Sequence, residues 1–268
     1  MAKEAVNLVG DGIVSSFKDA DFVIFDEVHH IPANTFKAVA SLNVRLHLGL
    51  SATPYREDMM DEIIYGLTST PAYVMHFSDL REFLIAPTVV DVNIPLKLSE
   101  GLAYMDKVNG VHDDVYEFDE EEGFDIPVRR GNSYIEDMKA VLWNPRIWQY
   151  AMWLADKLPK PVIIHSPLEQ PAQHFSQQFK LPLLSGKADD VTRKSILQGL
   201  NEGKVNVAVA TTVIDEGVDI PPLQSLIMLF PGGSRVKLIQ RIGRLVRRSN
   251  GKTNAYAFLF NYVVDDEW

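Results

Sequence analysis

Short apolar runs alternate with longer amphipathic stretches along this chain, and this alternation restricts the fold more than any other feature of the sequence. The pattern is typical of parallel α/β units, in which a buried strand is followed by a helix that packs on the sheet. We therefore predict a parallel-sheet α/β fold. The predicted strands are Phe22–Asp26, Leu46–Ala52, Tyr73–Phe77, Val89–Ile94, Val162–His165, Val205–Ala210, Ser225–Leu229 and Tyr256–Phe260.

Polar residues stand at the carboxyl ends of several predicted strands. Ligands of open α/β sheets bind at that edge of the sheet. The sequence therefore predicts one site that several strand ends share, formed by Asp26, Ser51-Ala52-Thr53, His165-Ser166 and Thr211-Thr212.

Composition indicates a globular chain with a substantial core. Of its 268 residues, 46% are hydrophobic and 23% are charged, which suits one large or two modest domains. No apolar stretch approaches the roughly 20 residues of a membrane span, and the first residues lack the apolar segment of a secretory signal. The absence of cysteine excludes disulfides and thiolate metal sites. We expect a cytoplasmic protein without a membrane partner, nucleoid-associated if the source is prokaryotic.

Charge is distributed unevenly along the chain. The net charge of −10 alone argues against nucleic-acid binding, because affinity for phosphate comes mainly from Lys and Arg. However, residues 113–125 contain eight acids, whereas residues 235–252 contain seven Lys or Arg and no acid. We interpret the first run as a solvated loop and the second as a contact face for nucleotide or nucleic acid.

Composition also divides the chain into segments. Residues 96–140 are acidic and weakly periodic, whereas an apolar helical pattern resumes at 143–158. We predict a first domain at 1–95, an acidic linker or insert at 96–140, and a second domain at 141–268.

The tetrapeptide Asp26-Glu27-Val28-His29 directly follows the apolar run Phe22–Phe25 and is predicted to be the acidic tip of a buried strand. A carboxylate pair at such a tip can hold Mg²⁺ through water. It can also polarise the water that attacks the γ-phosphate of a nucleotide such as ATP. Ser51-Ala52-Thr53 follows the next strand, so its hydroxyls are expected near these carboxylates.

Two further motifs lie in the second half of the chain. In Thr211–Pro221, Gly217 and Asp219 stand in a predicted turn that suits contact with a backbone phosphate and a ribose hydroxyl. In the second motif, a helix would place Gln240, Arg244 and Arg247 on one face, because they stand at i, i+4 and i+7. Guanidinium groups there suit a γ-phosphate, since their planar donors pair two oxygens at once.

Taken in order, DEVH, SAT, TTVIDEGVDIP and QRIGRLVRR resemble motifs II, III, V and VI of the superfamily 2 helicases. The longer stretch Asp26–Ala33, together with Arg56-Glu57-Asp58 shortly after SAT, is similar to the XPB-like group of DNA repair helicases. The resemblance implies two RecA-like domains, DNA-dependent ATP hydrolysis with Mg²⁺, and 3′ to 5′ translocation. It also makes DNA and a nuclease candidate partners.

The resemblance implies a role for each site residue. Asp26 would hold Mg²⁺ through water, and Glu27 would orient and deprotonate the attacking water. His29 would couple this site to the second domain by a hydrogen bond towards Gln240. Ser51 and Thr53 would relay the nucleotide state, and Thr211 and Thr212 would contact the DNA backbone. Asp219 would contact the ribose or the arginines, whereas Arg244 and Arg247 would contact the γ-phosphate. The duplex junction would be contacted by Arg56, Glu57 and Asp58.

One expected motif is missing from the sequence. A phosphate loop requires Gly-x-x-x-x-Gly-Lys-Ser/Thr, and neither Gly186-Lys187-Ala188 nor Gly251-Lys252-Thr253 meets that requirement. Without the loop, tight MgATP binding by this chain alone is not expected. We interpret residues 1–95 as the rear part of a first RecA-like domain and residues 141–268 as a complete second one. The expected partner is the amino-terminal helicase half, from the same gene or another chain, or a second copy of this chain.

Other functions remain open at this stage. The chain can be a non-catalytic module that binds DNA or protein, or another superfamily 2 member such as an RNA helicase or a restriction-type translocase. A zinc site at His29-His30 is disfavoured because neither cysteine nor His-Glu-x-x-His is present. A serine-hydrolase site at Ser51 is disfavoured because Gly-x-Ser-x-Gly is absent.

Overall fold

The structure is a computed structural model, and it is divided into two units. The first unit contains residues 1–80 and 234–240, and the second contains residues 81–233 and 241–268. The structure describes residues 21–30, 45–52, 61–68, 70–71, 73–109, 116–119, 124–127, 134–215, 218–232 and 234–264.

The first unit contains a two-stranded parallel sheet and one helix among its described segments before residue 81. Strands β1 (Phe22–Asp26) and β2 (Leu46–Leu50) pair in parallel, so that Asp26 lies opposite Leu50. Helix α1 (Asp61–Thr68) contacts β2, and its Ile64 forms a small buried cluster with Val28. Gly49 permits this packing, because a Cβ there would lie 2.9 Å from a methyl group of Val28.

Alternate residues of β1 and β2 form an exposed apolar surface. Side chains at every second position of a strand point to the same face of its sheet. The five residues concerned are between 43% and 60% exposed: Phe22, Ile24, Leu46, Leu48 and Leu50. Both faces of a parallel sheet are normally covered in folded proteins, so this surface is an unusual feature of the unit.

The second unit is built on a six-stranded sheet in which every described pair is parallel, in the order β3-β10-β9-β6-β8-β7. This sheet confirms the predicted parallel α/β fold. The elements that follow α1 are β3 (Thr88–Leu96), α2 (Leu98–Asn109), β4 (Tyr116–Asp119), β5 (Phe124–Pro127), α3 (Tyr134–Trp143), α4 (Pro145–Lys157), β6 (Val162–His165), α5 (Glu169–Gln178), β7 (Leu183–Leu184), α6 (Asp190–Asn201), β8 (Val207–Ala210), β9 (Ser225–Met228), α7 (Arg235–Leu245) and β10 (Tyr256–Val264).

Helix α4 shows how local sequence and packing act together in this unit. Asn144 caps its first turn by accepting a hydrogen bond from the amide of Arg146 at 3.0 Å, and Pro145 occupies the first helical position, where no amide donor is needed. The buried Trp148 stacks on Phe175 of α5, and its indole nitrogen donates to a carbonyl oxygen at 2.8 Å. Burial of these rings anchors both helices in the main core.

The acidic region between the predicted domains contains regular structure. Helices α2 and α3 contact each other, and Gly101 allows this, because a Cβ there would overlap the carbonyl oxygen of Ala140. Strands β4 and β5 form an antiparallel hairpin within the acidic run, which we had interpreted as a loop. The boundaries near residues 95 and 140 remain a prediction, although β3 pairs with β10 in the sheet of the second unit.

Two strand predictions need comment. The predicted strand Tyr73–Phe77 is wrong, because residues 73–76 join no sheet and one turn of 3-10 helix begins at Phe77. Strand β7 was missed because it has only two residues. In the described part of the chain, no helix is both long and apolar enough to cross a membrane.

Candidate functional site

The acidic tetrapeptide lies at the carboxyl end of β1, as the apolar run before it predicts. Asp26 is the last residue of the strand, and its Oδ1 accepts a hydrogen bond from the amide of Glu27 at 3.0 Å. Glu27 has a φ of 52°, a left-handed conformation that is uncommon for a residue with a side chain. Such conformations concentrate at functional sites, because the surrounding structure has to offset their cost.

His29 links the carboxylates to the end of the neighbouring strand. It is buried in a one-turn 3-10 helix, and its Nδ1 lies 2.9 Å from the hydroxyl of Ser51 and 3.3 Å from Oε2 of Glu27. The parallel pairing explains the first contact, because Ser51 directly follows Leu50, the partner of Asp26. The structure thus brings together four predicted site residues, Asp26, Glu27, His29 and Ser51.

These side chains suit a metal ion that is also bound by substrate phosphates and water, rather than one that is bound by protein ligands alone. Glu27 Oε2 is shielded from solvent, and among the described residues its near polar neighbour is His29 Nδ1 at 3.3 Å. Within those residues, no set of three or more His, Asp or Glu side chains could hold a metal ion. Mg²⁺ is commonly held by one or two carboxylates together with substrate phosphates and water, so Asp26 and Glu27 fit a site of that kind.

In the second unit, the carboxyl ends of β6 and β8 lie side by side. The amide of Ser166 donates to the carbonyl of Ala210 at 2.9 Å. Thr211 is buried, whereas the adjacent Thr212 is exposed at the start of a 3-10 turn. Of the two threonines predicted to contact DNA, only Thr212 is accessible as the structure stands.

His165, the last residue of β6, is completely buried. Neither of its ring nitrogens has a hydrogen-bond partner in the described part of the chain. Burial, and secondarily the charge of Arg241, holds the pKa of His165 well below its usual value. The imidazole is therefore neutral in the folded protein, and a large polar group is held within the core.

Arg247 does not lie on the helix that the sequence predicts for it. Helix α7 ends at Leu245, and Arg247 forms an isolated antiparallel bridge with Leu84. The prediction that Gln240, Arg244 and Arg247 share one helical face is therefore wrong for Arg247. The cause is tertiary, since the amide of Ile85 donates to the carbonyl of Val246 at 2.8 Å and the bridge between Leu84 and Arg247 follows directly.

Arg247 nevertheless meets another predicted residue. Its Nη1 donates to Oδ1 of Asp219 at 2.5 Å, and the two side chains are 47% and 59% exposed. The neighbouring Arg244 donates to the carbonyl of Val218 at 2.7 Å. The structure thus places the turn around Asp219 beside Arg244 and Arg247.

Several predicted residues cannot be placed in this geometry. The hydrogen bond from His29 towards Gln240 stays a prediction. Five predicted site residues lie outside the described residues: Thr53, Arg56, Glu57, Asp58 and Gly217.

Sequence reasoning missed two basic residues that the structure buries. Arg241 is 4% exposed and donates to the carbonyl of Pro231 at 3.4 Å, and Lys252 is 8% exposed. Burial lowers the pKa of Lys252 to about 8. The sequence carries one signal for Lys252, a glycine-preceded lysine shortly after a predicted helix, but Gly251-Lys252 does not match a phosphate loop and predicts no other role.

Two protein families match separate parts of the chain. Residues 150–249 match the family described as "Helicase conserved C-terminal domain". Residues 12–56 match the family described as "Type III restriction enzyme, res subunit". The first match covers the site of the second unit, and the second covers the acidic tetrapeptide.

Curated relatives match most of the chain. A protein of the Sulfolobus islandicus filamentous virus, assigned to the helicases, is 30% identical over 249 residues, which cover 89% of this chain and 42% of the relative. The DNA 3′-5′ translocase XPB2 of Sulfurisphaera tokodaii is 27% identical over 249 residues, covering 85% of this chain and 56% of the relative. The chain thus spans about half the length of these two relatives.

Solved structures agree on the fold. A DNA-bound ATP-dependent type ISP restriction-modification enzyme, LlaBIII, superposes with a TM-score of 0.61 at 19% identity, covering 98% of this chain and 19% of that one. At this identity the similarity concerns the fold alone.

Proposed function

We propose, on the premise that the chain belongs to the XPB-like group of superfamily 2 helicases, that it supplies part of an ATP-dependent 3′ to 5′ DNA translocase. The observation that carries the proposal is the contact between His29 Nδ1 and the Ser51 hydroxyl at 2.9 Å. It joins the DEVH and SAT motifs through side chains, at the ends of two paired strands. In the proposed translocase, this contact would link nucleotide hydrolysis to the nucleic-acid site.

The residues at the end of β1 would supply part of the chemistry of hydrolysis. ATP with Mg²⁺ would supply the phosphoryl group and the charge that draws electrons from it. Asp26 would hold the ion through water, and Glu27 would orient and deprotonate the attacking water. His29, 3.3 Å from the Glu27 carboxylate, would keep that carboxylate in place. The left-handed backbone at Glu27 supports this role, because it sets the direction of the side chain.

The arginines of the second unit would act on the phosphate charge. Arg247 is exposed and paired with Asp219, so an incoming phosphate can compete with this carboxylate for the guanidinium. Arg244 would assist from the end of α7, while Asp219, once released, could accept a hydrogen bond from a ribose hydroxyl. Exposed ion pairs are weak, so the exchange of partners costs little free energy.

DNA is the proposed nucleic acid, and it would run along residues that follow strand ends. Ser51 and Thr212 lie at such positions. We propose that Thr53 and the Arg56-Glu57-Asp58 element extend this surface to the duplex junction.

Hydrolysis needs a group that cradles the β- and γ-phosphates, and the sequence contains no phosphate loop. We propose that this chain alone is inactive and that a second polypeptide segment supplies the loop. The experiment measures DNA-stimulated ATP hydrolysis by the purified chain, alone and mixed with the amino-terminal half of the Sulfurisphaera tokodaii relative. We expect negligible turnover alone and measurable turnover in the mixture.

Two variants assign that turnover to the predicted residues. Glu27→Gln and Arg247→Ala should each abolish turnover by the mixture, whereas Arg146→Ala, at another exposed arginine of the second unit, should not. Turnover by the chain alone that Glu27→Gln removes would contradict the proposed dependence on a second segment.

A non-catalytic module that binds DNA or protein is the alternative, and the absent phosphate loop favours it. A stable complex with the amino-terminal half that hydrolyses no ATP would support this alternative. Stimulation by forked duplex DNA compared with single-stranded RNA would separate a DNA translocase from an RNA helicase.

A further inference from the structure

Gly251-Lys252-Thr253 forms no phosphate loop, yet Lys252 occupies a defined place in the second unit. Gly251 has a φ of 77°, which glycine adopts without the steric cost that a side chain would add. The amide of Lys252 then donates to the carbonyl of Ser249 at 3.1 Å. This turn returns the chain towards the carboxyl end of α7, where the lysine is buried.

The ammonium of Lys252 binds three backbone carbonyls. Its Nζ donates to Leu245 at 2.5 Å, to Arg247 at 2.9 Å and to Pro221 at 3.2 Å. An ammonium has three donors, so these bonds use all of them. Two acceptors belong to the end of α7 and the residues after it, whereas the third belongs to the turn that follows Asp219.

These two segments are the ones that present Asp219 and Arg247 to each other. Pro221 lies two residues beyond Asp219, and one of the other two acceptors is the carbonyl of Arg247 itself. An exposed ion pair contributes too little to hold two backbone segments in register. Hydrogen bonds from a charged group are stronger, so the spacing is held by Lys252, together with the bond from Arg244 to the carbonyl of Val218, rather than by the exposed pair.

We infer that Lys252 is a positioning residue that fixes the Asp219 turn against the segment after α7 and so aligns Asp219 with Arg247. A lysine that only capped α7 would need the carbonyls of that segment alone, and the bond to Pro221 goes beyond this role. The catalytic value of the alignment rests on the proposed function, in which Arg247 meets the γ-phosphate. The alignment itself does not depend on that function.

The test measures how exposed the Arg247 guanidinium becomes when Lys252 is changed in the full chain. Phenylglyoxal modification is followed by mass spectrometry at Arg247 and, for reference, at the exposed Arg146. Lys252→Met should raise the modification rate of Arg247 several-fold and leave that of Arg146 unchanged. Lys252→Gln keeps two N–H donors, so its Arg247 modification rate should lie between that of Lys252→Met and that of the unaltered chain. An unchanged Arg247 rate in folded Lys252→Met overturns the inference.

A second arm does not require a change in the buried position. Coupling between sites is reciprocal, so breaking the ion pair has to loosen Lys252. Asp219→Asn, at an exposed residue, should increase the acetylation of Lys252 by acetic anhydride relative to the exposed Lys194. Equal relative acetylation in both chains overturns the inference even if Lys252→Met does not fold. Neither arm uses ATP or DNA, so failure of the proposed function would leave both results interpretable.

Discussion

Replacement of His165 should change how stability depends on pH. The imidazole is fully buried, and burial together with the charge of Arg241 keeps its pKa well below 6.5. The unfolded chain therefore binds a proton at this residue as the pH falls below about 6.5, whereas the native chain does not. Protonation favours the unfolded state, so stability is lost as the pH falls.

The size of the effect follows from linkage. For a residue that stays neutral in the native state, the loss of unfolding free energy between pH 7.5 and 5.5 is about 1 kcal/mol. His165→Leu removes the titrating group and two buried nitrogens that lack partners in the described structure. We therefore expect the unfolding free energy of the variant, relative to the unaltered chain, to rise by about 1 kcal/mol as the pH falls from 7.5 to 5.5.

The assay is urea unfolding at both pH values, followed by the fluorescence of tryptophans that include the buried Trp148. Ile164→Val, at the preceding residue of β6, is the matched control. It should cost about 0.5–1.5 kcal/mol at either pH, because it introduces no titration. The reasoning is refuted if the difference in unfolding free energy between His165→Leu and the unaltered chain is the same at pH 7.5 and 5.5. His165 would then bind its proton equally well in the native and the unfolded state.

Two further substitutions test the packing of the second unit, each by urea unfolding. Gly101→Val should destabilise the unit by about 1–3 kcal/mol or more, because its Cβ would overlap the carbonyl oxygen of Ala140. Gly186→Ala, where a Cβ meets nothing within 4 Å, is its control, and equal stability of the two variants would contradict the close helix contact. Asn144→Ala should cost about 1 kcal/mol or more through loss of the α4 cap and of the side-chain bond to the carbonyl of Lys97, whereas Asn144→Asp should retain the capping bond alone. A fully stable alanine variant would show that Pro145 suffices to start the helix.

The sequence was most informative where local pattern and tertiary environment agree. The run before Asp26 is apolar and ends in acids, and the structure has a strand there that ends at Asp26. Ser51 was expected near the carboxylates because parallel strands end at a common edge, and its hydroxyl contacts His29. In both places the local sequence is sufficient to predict the strand and the position of the side chain at its end.

Prediction failed where a distant partner decides the local structure. Residues 73–76 have the composition of a strand, but a strand also needs a neighbour, and no described strand pairs with them. The i, i+4, i+7 spacing placed Arg247 on a helix that ends at Leu245, because Leu84 and Ile85 bind the residues beyond it. The role of Lys252 depends on Pro221, about 30 residues earlier in the chain, and no local pattern announces such a contact.

The pairing of β3 with β10 also determines when the second unit can fold during synthesis. Strand β3 is at the edge of the sheet, and its neighbour there, β10, begins at Tyr256, long after β3 ends at Leu96. At roughly 5–20 residues per second, a ribosome needs on the order of ten seconds to make the intervening chain. Throughout that interval β3 lacks its sheet partner, so the nascent chain has to keep an apolar strand from pairing elsewhere until β10 emerges.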